Sequence, residues 1–284
     1  MAATYHFPGT ARPIALVRRC GRLFITLGHM ITFFVRAVVS IPVALRHYSR
    51  ESMRILSDVT WGNGSLVVGG GTAGVIIVLG AAAGAIVGIE GHSALKLLGM
   101  EPATGMIAAT AATRELAPIM ASIAFAAQAG CRFTAQLGAM RIAEEIDALH
   151  AVAIRPIPYL VSTRLLASMI AVVPLYVAAL AADYLAVEFF VWVAGGESFG
   201  TYEHYFNLVL GGTDVLYSLL KALVFVVITT TVQCYYGYYA AGGPQGVGVA
   251  AGRAMRASIT VMISVNLLLT LALWGFDSGS RISG

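Results

Sequence analysis

Hydrophobic and polar positions in this chain alternate in long blocks. Charge-free runs from Val59 to Ile89, Leu116 to Cys131, Leu165 to Ala182, Ala222 to Gly252 and Ala257 to Phe276 mark five apolar segments. A helix needs about 20 residues to cross the hydrocarbon core of a bilayer. The second segment reaches that length only by taking in Arg114 and Glu115. No alternating ten-residue pattern is present, so the segments read as transmembrane helices and not as a barrel. The expected spans cover about 66–89, 105–130, 158–182, 219–239 and 257–276.

Two stretches break this pattern. Residues 1–21 hold Pro8, Pro13 and several arginines and read as a tail; from Arg22 to about Leu45 a two-faced helix follows. Leu23, Leu27, Met30, Ile31, Phe34, Val38 and Ile41 cover one face, with Arg22, Thr26, His29, Arg36 and Ser40 opposite. Such a helix lies in the membrane interface; the alternative is a soluble-type helix packed on another domain. A polar link then runs to residue 58. The second break runs from Arg132 to Arg164. On a helical wheel Ile142 and Ile146 fall with Leu149 on one side, and Glu144, Glu145 and Asp147 on the other. This predicts a short amphipathic helix over about 137–151, between the second and third spans.

Composition agrees with a membrane protein. Of 284 residues, 58% are hydrophobic and 11% charged, against roughly a quarter charged in soluble domains. The net charge of +4 is not gathered into an aromatic-laced basic patch, which sets nucleic acid aside. It speaks to topology instead. With the N-terminus inside and the C-terminus outside, 14 of the 18 Lys and Arg are cytoplasmic, as the positive-inside tendency requires. Lys96, Lys221 and Arg281 are then outside, and Arg114 is in the membrane. Three scattered cysteines give neither a disulfide framework nor a metal site. No short apolar core with a cleavage site opens the chain, so no removable signal peptide is expected.

Within the spans, Gly70 and Gly74 are four apart, as are Gly80, Gly84 and Gly88; small residues at that spacing let helix backbones approach closely. Arg114 and Glu115 are the in-membrane functional candidates, since charges in a span face a partner or a wet cavity; the alternative is that they snorkel at the outer interface. Asp183, Glu188, Glu197, Glu203 and Asp214 read as a solvated outer segment with a short helix over 201–210. The Gly242 to Gly248 run reads as an inner loop and lacks the strand and Lys-Ser/Thr pair of a phosphate cradle. No hydrolase elbow, zinc motif or Walker loop is present, so no catalytic residues and no bound cofactor are expected. The chain therefore moves or holds something with energy from a partner, and the acidic helix is a docking element for that partner. A channel or carrier working without an ATPase, or a non-transporting scaffold for lipid-binding proteins, remains open.

Arg114-Glu115-Leu116-Ala117-Pro118, the run Leu137 to Leu149, Pro156, Arg164-Leu165-Leu166-Ala167 and the Gly-Gly-Pro-x-Gly-Val-Gly stretch together resemble the MlaE/YrbE family of ABC-transporter permeases. Gly200 to Phe206 and Cys234 to Tyr238 resemble its B-type YrbE branch from actinobacterial mammalian cell entry (Mce) systems. The resemblance implies an all-α permease domain over 59–284, paired with an A-type YrbE paralogue in a heterodimer. It implies a cytoplasmic ATPase dimer carrying ATP and Mg, Mce proteins outside the plasma membrane, and a lipid substrate. It makes the amphipathic helix the coupling helix, with Arg141, Glu144, Glu145, Asp147 and Leu149 at the ATPase, and puts Arg114 and Glu115 near the lipid cavity. The chain departs from the broader pattern at Glu144-Glu145, where many members have Glu-Gln, and at Gly138-Ala139-Met140, where many have Gly-Thr-Met.

Overall fold

The computed structural model describes residues 11–60, 71–196 and 198–275, with side chains from Ile25 onward except those of Ala194 and Phe199. Gly70 and the start of the first expected span lie outside the described residues. All regular structure among the described residues is helical: α1 (Ala11–Val39), α2 (Ile41–His47) and α3 (Ser49–Thr60), then α4 (Gly71–Lys96) and α5 (Glu101–Ile142). After α6 (Glu145–Ala151) come α7 (Ile157–Val193), α8 (Phe199–Val209), α9 (Gly212–Tyr238) and α10 (Gly243–Trp274). Five of these, α4, α5, α7, α9 and α10, are long and apolar enough to cross a membrane; α1 and α2, bent by 40° at Ser40, would pass only as a pair. The chain is a multi-pass membrane protein.

Helix α7 is the central element, packed by α3, α4, α5 and α9. Its tightest contact is with α4. A Cβ added at Gly80 would sit 2.5 Å from the Ala179 carbonyl oxygen, and one at Gly88 3.0 Å from that of Val187; Gly84 faces the Asp183 backbone between them. Both helices thus meet along every fourth residue, with backbone against backbone. Where lipid tails are as apolar as leucine, such close approach supplies the packing that holds helices together. Gly74 is half-buried in the same helix. Helices α5 and α9 close on each other in the same way: Gly237 lies against Thr134, whose hydroxyl bonds the Gln233 side chain at 2.5 Å.

Helix α10 is the least enclosed span. Only 11% of its most apolar stretch is buried. It touches the bundle along one row, Ala250, Ala254, Ser258 and Met262 in its first half and Asn266, Thr270 and Trp274 in its second.

Helix α1 turns Phe33 and Ala37 to the bundle and leaves Leu27, Ile31 and Val38 exposed. The apolar stripe is thus on its outer side, while His29 and Phe33 meet Tyr235 and Tyr239 of α9.

Three sequence expectations change. The helix expected over 137–151 is two pieces, because Glu144 takes a left-handed φ of +58° and ends the first one. A wheel drawn through an unbroken helix fails there: Ile142 is 38% exposed while Ile146 is 1% exposed. The inner loop at Gly242 is instead the start of α10, which Gly242 and Gly243, with φ of +94° and +69°, turn into the helix ahead of Pro244. Proline suits a helix's first turn, where no partner for its missing N–H is needed. The spans also run beyond the charge-free limits, so that polar residues counted as loops are helical.

Gly80→Ala should lower the unfolding midpoint, at a cost of about 1–3 kcal/mol for overpacking. Gly252→Ala, where an added methyl meets nothing within 4 Å, should keep or raise it, since alanine is the better helix former. Circular-dichroism melting in detergent checks both, and equal midpoints would contradict the close α4–α7 contact.

Candidate functional site

The site begins with a defect in α5. Over Ala108–Leu116 the helix is wound as a π-helix, with Ala117 N–H bonding the Ala112 carbonyl. The next residue, Pro118, has no N–H to return. The carbonyls it would reach by an i−5 or an i−4 bond are those of Thr113 and Arg114. Both are satisfied from α9 instead: Ser218 donates its hydroxyl to Thr113 O, and Lys221 Nζ donates to Arg114 O at 2.7 Å. The defect in one helix is thereby filled by the polar face of another, where Asp214, Ser218 and Lys221 are spaced four and three apart.

Lys221 is completely buried, yet each of its three N–H bonds has an acceptor. Besides Arg114 O, they are Glu115 Oε1 at 3.1 Å and Thr270 Oγ1 at 2.9 Å. Glu115 in turn accepts from Thr270 at 2.7 Å and from Asn266 Nδ2 at 2.8 Å. A second pair lies beside the first. Arg114 approaches Asp214 at 3.2 Å, and Asp214 accepts the Trp274 indole N–H at 2.6 Å. The Trp274 ring has Arg114 Cζ at 5.4 Å and Lys221 Nζ at 5.5 Å from its centre, within cation–π range. Two cations and two anions from α5 and α9 are therefore closed over by α10, with no net charge.

The pairing is complete except at two atoms. Arg114 Nε and Asn266 Oδ1 are buried with no hydrogen-bond partner among the described residues. One is a donor and the other an acceptor, and both are closed off from contact in this arrangement. Nothing in it is arranged for covalent chemistry, and among the described residues no group of three or more His, Cys, Asp or Glu could hold a metal ion.

The sequence singled out Arg114 and Glu115 but not their partners. Lys221 and Asp214 read from the sequence as outer residues, Asp214 as a solvated one; the structure places both inside the bundle, with Lys221 at 0% and Asp214 at 15% side-chain exposure. Asp183, also read as solvated, is fully buried. The signal was present as spacing: Asn266, Thr270 and Trp274 recur every fourth residue in the last span.

The second candidate set lies at the far end of α5. From Glu115 to Ile142 this helix is about 40 Å long at 1.5 Å per residue. There Glu144 and Glu145 are exposed, Leu149 is partly buried against the core, and Arg141 pairs with Asp147 at 2.8 Å across the break. Helix α6 is fixed by Ile146 beneath it and by the turns at Glu144 and Ala153, the latter also left-handed at φ +60°.

Removing Glu115 should cost more than removing Lys221, because an ammonium with no exposure would lose its only counter-charge, a loss of about 3–5 kcal/mol. Glu115→Leu should therefore be less stable than Lys221→Met, and the double variant should recover part of the loss; thermal melts of the three checks this, and a double variant below Glu115→Leu would contradict it.

Comparison with known proteins agrees with this architecture. The family model described as permease MlaE matches residues 63–272. A probable ABC transporter permease of Rickettsia prowazekii (strain Madrid E) is 31% identical over 197 residues, covering 66% of this chain and 72% of its own. The intermembrane phospholipid transport system permease protein MlaE of Haemophilus influenzae is 25% identical over 209 residues, 71% of this chain and 77% of its own. The chloroplastic protein trigalactosyldiacylglycerol 1 of Arabidopsis thaliana is 28% identical over 173 residues, 61% and 49% respectively. The match of the family model over most of the chain, from the first span to the last, makes this protein a member of the MlaE permease family.

Proposed function

We propose that this chain is the permease subunit of an ATP-driven lipid transporter. Its cytoplasmic end is then the one bearing α6, with the N-terminus inside and the C-terminus outside. ATP and Mg are held by a separate ATPase dimer that docks on α6. An A-type YrbE paralogue completes the membrane dimer, and Mce proteins continue the lipid path outside. The chain itself catalyses no reaction.

The observation that carries this reading is the continuity of α5. Helix α5 runs unbroken from the charged cluster at Arg114 and Glu115 to Ile142, and α6 follows directly across the turn at Glu144, bearing Glu145 and Asp147. Helix α6 is anchored by Ile146, which is buried in the core of the bundle. A force applied there is delivered along α5 to the point where α10 is tied on. The Arg114 and Glu115 side chains, 22% and 35% exposed, offer a cation and an anion to a lipid headgroup, and the exposed Ile263, Leu267 and Leu268 of α10 suit acyl chains. Coupling of this kind requires an element with two states that both sites bias; the loosely enclosed α10 is that element.

Replacing Glu144, Glu145 and Asp147 together with Lys should reduce co-purification of the ATPase at least ten-fold while membrane insertion is kept. The measurement is quantitative pull-down from solubilised membranes, and unchanged recovery of the ATPase contradicts the docking role.

A further inference from the structure

At the end of the bundle that carries α6, α3 leans over α5 and α7 and encloses a cavity of about 340 Å³. Its polar lining is Glu51, Arg54 and Asp58 from α3, Arg132 and Gln136 from α5, and Arg164 from α7. Volumes of this order hold small ligands, about 300–1,000 Å³ being the usual range. It lies about 26 Å along α5 from Glu115, at 1.5 Å per residue over 17 residues. The charged cluster and this cavity are therefore separate sites.

The charges here do not cancel. Arg54 is engaged by Glu51 at 2.7 Å. Arg132 donates to the backbone oxygen of Asp58 at 2.9 Å and not to a carboxylate. Arg164 is 7% exposed, and a buried guanidinium is ordinarily neutralised by an acid. Its bonds go instead to the Leu160 carbonyl at 2.6 Å and the Gln136 amide oxygen at 3.3 Å, while its Nε–H has no partner among the described residues. Three arginines against Glu51 and Asp58 leave one positive charge in the cavity. A guanidinium with free N–H donors is built for a phosphate oxygen.

We infer that this cavity binds the phosphate of an anionic phospholipid from the surrounding leaflet. A monoanionic phosphodiester supplies the one negative charge that is missing and accepts from Arg132, whose guanidinium has N–H groups beyond the one held by Asp58 O, with the Arg164 charge behind it. The lipid source follows from the walls. Helix α3 joins the amphipathic α1–α2 pair to the first span, and beside the arginines the cavity is lined by Ile55, Val59, Phe133 and Met140. Acyl chains beside the cavity therefore have an apolar surface to lie on, which free phosphate does not need. Bound there, the lipid would fasten α3 to α5 and α7 whatever cargo the protein carries.

The test uses the full-length protein in detergent, titrated separately with phosphatidylglycerol, phosphatidylcholine and inorganic phosphate, bound species being counted by native mass spectrometry. Phosphatidylglycerol should be held at least ten-fold more tightly than phosphatidylcholine. Arg132→Gln, at a half-buried position, should weaken it at least ten-fold with an unchanged melting midpoint. Arg164→Gln should weaken it as well, with Arg164→Lys recovering part; if Arg164→Gln fails to fold, Arg132→Gln decides. Equal retention of the two lipids, or phosphatidylglycerol binding unaffected by Arg132→Gln, overturns the proposal. Binding of inorganic phosphate without a preference for the anionic lipid overturns the lipid source.

Discussion

A lysine ammonium with no access to water must find three acceptors or lose its charge, and in this protein that demand organises one end of the membrane bundle. Lys221 meets it with a backbone carbonyl, a carboxylate and a hydroxyl from two other helices. The carbonyl is free because its ordinary helical partner four residues on is Pro118, which has no N–H to give. A burial that would be costly by itself becomes a three-way joint between α5, α9 and α10. The Arg114–Asp214 pair and the Trp274 indole extend it without adding net charge.

The rest of the bundle is held by a different means. Glycines at 80, 84 and 88 bring α4 against α7 with backbones touching, and Gly237 does the same for α9 against α5. At these contacts a closer fit is blocked by backbone and a looser one loses dispersion contacts. Helix α10 has no such glycine contact along its second half. There it depends on the hydrogen bonds of Asn266, Thr270 and Trp274, which are individually modest in membranes, on average about 0.6 kcal/mol.

Much of this was legible in the chain. Hydropathy blocks locate the five spans, glycine spacing marks the face of α4, and a charge pair inside a span points to Arg114 and Glu115. What pattern reading missed has a common cause. Charge-free runs end at the first charged residue, whereas a buried and fully paired Lys221 or Asp214 does not end a helix. The partners of a buried charge come from other helices, at sequence separations of 49 to 155 residues, so no local window contains them. The break at Glu144 was hidden for another reason: a non-glycine residue at positive φ is uncommon, and a wheel assumes the helix continues.

The central claim is that the polar cluster, and not general apolar packing, fastens the second half of α10. Hydrogen–deuterium exchange of the protein in nanodiscs tests it most directly, with Asn266→Leu and Thr270→Val combined so that the helix keeps its hydrophobicity and loses its bonds to Glu115 and Lys221. Exchange should rise in the segment 263–274 and stay as in wild type over 71–96; wild-type protection throughout 263–274 would contradict the account.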